Sequence, residues 1–132
     1  MDREDDKSIL DDDRLSRRIP PNQLIREQGR IRPSSAAFKP DEISVNIESL
    51  MVAQRRELAE TLVGYPGSAL AAIVAADVRK FNHPIVKDTK PPNGPAHGLV
   101  LGKKKDSFAH AVNRQNMDSA LLAQTTVAFI VP

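Results

Sequence analysis

The sequence predicts a small α+β domain, a mixed but largely antiparallel sheet with two or three helices, and three observations lead there. Ile43, Val45 and Ile47 alternate with Ser44, Asn46 and Glu48, the period of a half-buried strand with one apolar and one wet face. Helix-like and strand-like stretches follow one another without the regular strand–helix–strand rhythm of a doubly wound fold. No repeat of about 20 to 50 residues and no sustained heptad is present, which argues against solenoids and coiled coils.

Taken in order, the chain opens on an acidic tip (Asp2, Glu4, Asp5, Asp6, Asp11, Asp12, Asp13) followed by a basic stem (Arg14, Arg17, Arg18, Arg26, Arg30, Arg32, Lys39), charges able to fold back on each other. With no apolar period beyond Ile9, Leu10 and Leu15, residues 1–17 read as a flexible charged N-terminal arm and residues 18–132 as a single domain. Ile19-Pro20-Pro21 resists helix and reads as an extended entry, because each proline restricts the residue before it. Lys39-Pro40-Asp41-Glu42 is a type I turn leading into the strand that carries Ile43, Val45 and Ile47.

Ser49 is placed to cap a helix over residues 49–63, with Leu50, Met51, Ala53, Leu58 and Leu62 on its apolar face, an Arg56–Glu60 pair and Gly64 as the stop. The run 69–76 is apolar on every side, so periodicity fits a buried strand or a buried helix; a strand over residues 70–74 followed by a helical turn to Phe81 is the preferred reading. His83-Pro84-Ile85-Val86 is a short strand, Lys90-Pro91-Pro92-Asn93-Gly94-Pro95 a loop, and residues 96–101 are extended. Asp106 is placed to cap a second helix with Phe108, Ala109 and Val112, and Asp118 or Ser119 a shorter one with Leu121 and Leu122. The β-branched residues 125–131 close the chain as an internal strand.

Composition bounds the chemistry. With 132 residues, 40% of them hydrophobic and many of those alanine, the core is modest. The absence of cysteine removes disulfides, thiolate nucleophiles and Cys-ligated zinc, and fits a reducing compartment. No apolar signal region and no run of about 18 apolar residues is present, so a soluble cytoplasmic protein without a membrane partner is expected. Four Phe, one Tyr and no Trp supply little surface for stacking single-stranded nucleic acid, and a net charge of +2 does not by itself call for a polyanion.

Arg17-Arg18-Ile19-Pro20-Pro21, Arg32-Pro33-Ser34-Ser35-Ala36-Ala37-Phe38, Ile43-Ser44-Val45 and Pro95-Ala96-His97-Gly98-Leu99-Val100-Leu101-Gly102 carry a resemblance. Over about residues 17 to 115 the chain resembles a family of small uncharacterised bacterial proteins. That resemblance implies bacterial or phage origin and a compact domain, and it assigns no functional residue.

Candidate chemistry gathers at three places. His97, between Ala96 and Gly98 after the proline-rich loop, is a candidate catalytic acid–base group; alternatively its ring nitrogen satisfies a backbone carbonyl and pins the loop. Gly102 followed by Lys103, Lys104 and Lys105 precedes the helix expected at Asp106, a candidate anion site without Walker-loop spacing; a solvated basic turn is the alternative. Arg32 with Ser34 and Ser35 combines a forked cation with two hydroxyls, able to clamp a phosphate or carboxylate, or else forms a turn bonded to its own backbone. This arginine–serine pattern is also similar to the opening of ADP-ribosyltransferases, which hold nicotinamide dinucleotide there, but no glutamate follows Glu60 to match the late catalytic residue of that family.

His83, His97 and His110 lack metal-site spacing, so neither a metal nor another cofactor is expected. Arg17, Arg18 and Arg30 are candidate partner-binding cations. The expected function is therefore a non-enzymatic accessory or binding module engaging a protein or polyanionic partner. The alternative is a small enzyme or binder acting on a nucleotide or other phosphorylated ligand through His97. Duplex DNA binding through Arg17, Arg18, Arg30 and Arg32 would be salt-sensitive and unspecific.

Overall fold

The computed structural model describes residues 4–40, 42–102 and 117–130. Eight strands form: β1 (Arg14–Ile19), β2 (Leu24–Glu27), β3 (Arg30–Pro33), β4 (Glu42–Ile47), β5 (Ala69–Val74), β6 (Ile85–Lys87), β7 (His97–Leu101) and β8 (Ala128–Ile130). Six of them make one sheet in the order β6-β7-β4-β1-β5-β8, and every neighbouring pair is antiparallel. Helices α1 (Glu48–Ala53), α2 (Ala75–Lys80) and α3 (Ser119–Gln124) are joined by short 3-10 turns at Pro21–Gln23, Ser35–Phe38 and Leu58–Leu62. The architecture is α+β, as the patterning predicts, and the sheet is antiparallel throughout.

One face of this sheet carries the core. Leu15 and Ile19 of β1, Ile43, Val45 and Ile47 of β4, Ala71 and Ile73 of β5 and Val100 of β7 pack with Phe38, Val78, Leu122, Met117 and Ile9. The strict alternation of β4, exposed at Glu42 and Ser44 and buried at Ile43, Val45 and Ile47, follows from the period of two that the sequence displays. Each fully buried Ile or Leu here contributes about 1.5–3 kcal/mol of transfer free energy, so a row of them across adjacent strands outweighs the weak propensities of an alanine-rich chain.

The boundary expected at residue 17 falls inside β1. That strand is central, pairing β5 through six positions from Arg14↔Val74 to Ile19↔Ala69. Residues 4–13 run against the edge of the sheet instead of forming an arm: Ile9 is buried, and Asp6 N–H donates to the Ile85 carbonyl oxygen at 2.8 Å. Two acids of this segment, Asp5 and Asp11, pair with α2. Arg79 donates through Nε to Asp5 at 3.1 Å, through Nη1 to Asp11 at 2.7 Å and through Nη2 to the Asp6 carbonyl oxygen at 3.0 Å. Dense charge in sequence looks solvated; here one arginine gathers two of the acids and a backbone carbonyl against the fold.

The helix expected over 49–63 breaks in two. Arg55 adopts a left-handed φ of 56°, its N–H reaches the Val52 carbonyl oxygen and the N–H of Arg56 reaches that of Met51, the paired bonds of a Schellman stop. A capping box between Glu57 and Glu60 then starts the 3-10 turn that carries Leu58 and Leu62. Ser49 does not cap α1, which Ile47 precedes; its hydroxyl donates to the Asp13 carboxylate. Between Glu27 and Arg30, Gln28 and Gly29 take φ of 50° and 74°, the backbone of a two-residue type I′ hairpin, so Arg32 and Pro33 end a strand and the turn bonded to its own backbone begins at Ser34.

The remaining strands fall where apolar patterning predicts, at Ala69–Val74, Ile85–Lys87 and His97–Leu101. The closing strand is the exception. Among the described residues β8 pairs with β5 alone, at the edge of the sheet, and Ile130 is exposed, so its apolar run does not mark an internal position there. Asp118 stands at the start of α3 without capping it, because its carboxylate meets Nε2 of the buried His83 at 3.1 Å. The helix expected at Asp106, and Lys103, Lys104 and Lys105 before it, lie outside the described residues.

Candidate anion site between strands β1 and β4

Ladder hydrogen bonding sets the position of this site. β1 pairs β5 over six positions and β4 pairs β7 over five, yet β1 and β4 register at only Leu15↔Ile47 and Ser16↔Asn46. Beyond Ser16 the two strands part. A half-open cleft of about 270 Å³ fills the gap, lined by Ser16, Arg17 and Arg18 on one side, Ser44, Val45 and Asn46 on the other, and His97. Residues of both side-chain parities line it on each strand, which places the opening between the strands as well as on the face away from the core.

Arg17 stands where the next ladder pair would be. By the period of two it shares the core side of β1 with Leu15 and Ile19, and its guanidinium replaces missing ladder bonds: Nη1–H donates to the Ser44 carbonyl oxygen at 2.9 Å and Nε–H to that of Ala37 at 2.7 Å. No carboxylate pairs with it among the described residues. Burial, and then the like charge of Arg18, push its guanidinium below the ordinary arginine value, though it remains a cation. The result is a partly desolvated positive charge whose solvation has been replaced by neutral carbonyls alone.

Arg18 projects to the outer face, where its guanidinium lies 3.5 Å from the centroid of the Tyr65 ring. Tyr65 follows the 3-10 turn at Leu58–Leu62, so the segment between α1 and β5 fixes this cation over the sheet. Ser16, Asn46 and His97 occupy one row across three strands, through Ser16↔Asn46 and Asn46↔His97. Ser44 takes the adjacent row opposite Leu99.

His97 is held from behind. Its Nδ1 lies 3.1 Å from the Asp88 carbonyl oxygen and 3.5 Å from Asp88 Oδ2, so that nitrogen carries the proton and Nε2 is the remaining polar atom of the ring. Both readings of the sequence therefore meet in this residue: the ring does satisfy a loop carbonyl, and it also lines the cleft. Gly98 beside it allows the close approach, since a Cβ there would stand 2.9 Å from Ile47 Cδ1 and 3.0 Å from the Val86 carbonyl oxygen.

The other candidates lie elsewhere. Arg32 and Arg30 belong to the β2–β3 hairpin, where Arg32 Nη2 is 3.6 Å from Glu27 Oε2. Ser34 caps the 3-10 turn, its hydroxyl accepting from Ala36 N–H at 3.1 Å, and Ser35 begins that turn. Neither serine nor Arg32 shares the lining of the cleft with His97. Arg17 and Arg18, read from sequence as partner-binding cations, are the ones beside it. Ser16, Ser44 and Asn46 drew no attention as site residues, although the alternation that buries Ile43, Val45 and Ile47 also sends Ser44 and Asn46 to the wet face.

Among the described residues no group of three or more His, Asp or Glu could hold a metal ion, and no helix is long and apolar enough to cross a membrane. What the cleft offers is a set of donors, two guanidinium groups, the Ser44 hydroxyl and the Asn46 amide, with the His97 Nε2 as an acceptor beside them and no carboxylate among the described lining residues. No protein-family model, curated protein or solved structure matches this chain.

Proposed function

We propose that the protein is a binding module, cytoplasmic and bacterial, whose β1–β4 cleft recognises an anionic group carried by a partner or a ligand. The observation that carries this reading is Arg17, a partly buried cation at the wall of a cleft, without an acidic partner among the described residues. A desolvated cation beside a second one, Arg18, is a local electrostatic cost that an anion would offset. Forked guanidinium geometry suits phosphate and carboxylate oxygens in particular. The cysteine-free sequence supports the reducing compartment, and the Arg17-Arg18-Ile19-Pro20-Pro21 and Pro95-Ala96-His97-Gly98 motifs support the bacterial origin.

Thermal unfolding of the full chain in phosphate, sulfate and citrate, each against chloride at matched ionic strength, tests the reading. An anion at about 100 times its dissociation constant stabilises by about 2.7 kcal/mol, several degrees for a chain of this size. The rise should vanish in Arg18→Ala and shrink in Arg17→Lys. Equal melting temperatures in all four salts would refute it.

A second reading, acid–base chemistry on a bound phosphorylated ligand, draws support from His97. A carbonyl and a carboxylate of Asp88 hold one ring nitrogen and leave the other for the cleft, the arrangement a general base needs. It requires that His97→Gln abolish turnover while keeping the anion-dependent rise in melting temperature.

A further inference from the structure

We infer that the anion taken by this cleft is the phosphate of a small hydroxylated phosphomonoester, of the size of a glycerol or pentose phosphate, and not a carboxylate or a base-stacked nucleotide. This rests on the anion-binding reading above and narrows it by counting donors, space and surface.

Donor count separates phosphate from carboxylate. Arg17, Arg18, Ser44 and Asn46 line one cleft and each has hydrogen-bond donor capacity, while Ser16 spends its hydroxyl on the Asn46 carbonyl oxygen and His97 offers Nε2 as an acceptor. Arg17 spends Nη1 and Nε on the Ser44 and Ala37 carbonyls, and among the described residues nothing accepts from its Nη2. A carboxylate offers two acceptor oxygens in one plane, and once an arginine fork takes that edge its remaining lone pairs lie in the same plane, so donors arriving from the other walls lose water without gaining a well-aligned bond. A phosphomonoester offers three terminal oxygens and a bridging one, and ester hydroxyls both donate and accept.

Space separates an ester from the bare ion. The cleft volume of about 270 Å³ equals that of about nine liquid waters at about 30 Å³ each. A phosphate has five heavy atoms, so room remains for a short organic group of a few atoms.

Surface argues for a hydroxylated group over a base. Among the described lining residues there is no Phe, Tyr or Trp, the Val45 side chain is buried in the core, and Tyr65, whose ring Arg18 lies over on one side, is not part of the lining. A nucleobase wants an apolar or aromatic face, whereas Asn46 and His97, neighbours in one row of the sheet, present amide and imidazole groups. Those groups pair with hydroxyls and leave no apolar wall for a purine.

Isothermal titration calorimetry on the full chain decides between these chemistries, with inorganic phosphate, glycerol 3-phosphate, ribose 5-phosphate, adenosine 5′-monophosphate and succinate as probes. Ribose 5-phosphate or glycerol 3-phosphate should bind about tenfold more tightly than inorganic phosphate, the effect of one or two added hydrogen bonds, with succinate weaker still. The monophosphate nucleoside should gain nothing over ribose 5-phosphate. Asn46→Ala, on the outer face, should erase the preference for the esters while leaving inorganic phosphate binding in place; Arg18→Ala should weaken every phosphate. Succinate binding as tightly as the esters, or the nucleotide binding best, would overturn the phosphomonoester assignment and leave anion binding standing. No heat with any probe would overturn both.

Discussion

The Arg17 Nη1–H donates to the Ser44 carbonyl oxygen at 2.9 Å, at the level where β1 and β4 cease to pair. A side chain thus occupies the place of a ladder bond, and an opening in a sheet, which would leave backbone acceptors unsatisfied, becomes a cation-walled cleft. The fork matters as much as the charge, because a second branch, Nε, reaches Ala37 in the 3-10 turn below.

Arg17→Lys should therefore destabilise the fold although it conserves charge. An ammonium is a point donor and cannot reach both carbonyls in the same geometry, so one buried acceptor loses its partner, at a cost of about 1–3 kcal/mol. Urea unfolding of the two proteins measures it; a change under about 0.5 kcal/mol would remove Arg17 from the structural account.

The first strap of chain is predicted to be part of the folding unit. Ile9→Ala should cost about 2–5 kcal/mol, the range for deleting a fully buried aliphatic side chain, where a flexible arm would show no effect. Chemical denaturation of the full chain reads this directly.

Acid should loosen the same strap. Burial raises the Asp5 carboxyl, but the Ile85 N–H, Lys7 and Arg79 outweigh it and hold the group below the usual aspartate range. Asp6 is lowered as well, by the Ser8 hydroxyl and backbone N–H. A carboxyl whose folded value lies below its unfolded value stabilises fully above the unfolded value, about 3.9, and loses that contribution as pH falls through the folded one. Asp5→Asn should thus be less stable near neutrality and show a shallower decline below about pH 4 than the parent. Melting temperature against pH for both proteins gives the comparison.

Gly98→Ala should destabilise by about 1–3 kcal/mol, because the new methyl meets Ile47 Cδ1 too closely to stay in place and crowds the Val86 carbonyl oxygen, so neighbours must shift. Pairing it with Ile47→Val removes Cδ1 but not the carbonyl, so a double-mutant cycle should recover part of the loss and not all of it.

Arg55→Gly should stabilise by up to about 1 kcal/mol. The left-handed φ of 56° strains a side-chain-bearing residue, and glycine relieves that strain at some entropic cost in the unfolded chain. Arg55→Val at the same position should destabilise, and calorimetric melting of the pair distinguishes the two signs.

The α+β class, the wet and dry faces of β4, and the strands at β5, β6 and β7 were legible in the sequence, because a period of two or a run of apolar residues between turn signals is a local property. The failures share one cause. That Ile9 and Leu15 belong to the core, that 125–131 ends at an edge, and that acidic residues near the N-terminus are matched by Arg79 are facts of which strand lies beside which, and non-local pairing leaves no mark in a short window. The hairpin at Gln28-Gly29 and the stop at Arg55 were hidden for a related reason: non-glycine residues took left-handed backbone that composition alone does not announce.

The site divides in the same way. His97 stands out in sequence by its residue type and its neighbours, and Arg17 and Arg18 by their charge. That these three meet, while Arg32 and Ser34 go to the hairpin and the 3-10 turn, follows from β4 lying between β1 and β7 and from the parting of β1 from β4 after Ser16. A sequence sets which side chains a strand can offer to each face; only the packed sheet sets which strands stand side by side and where their hydrogen bonding stops.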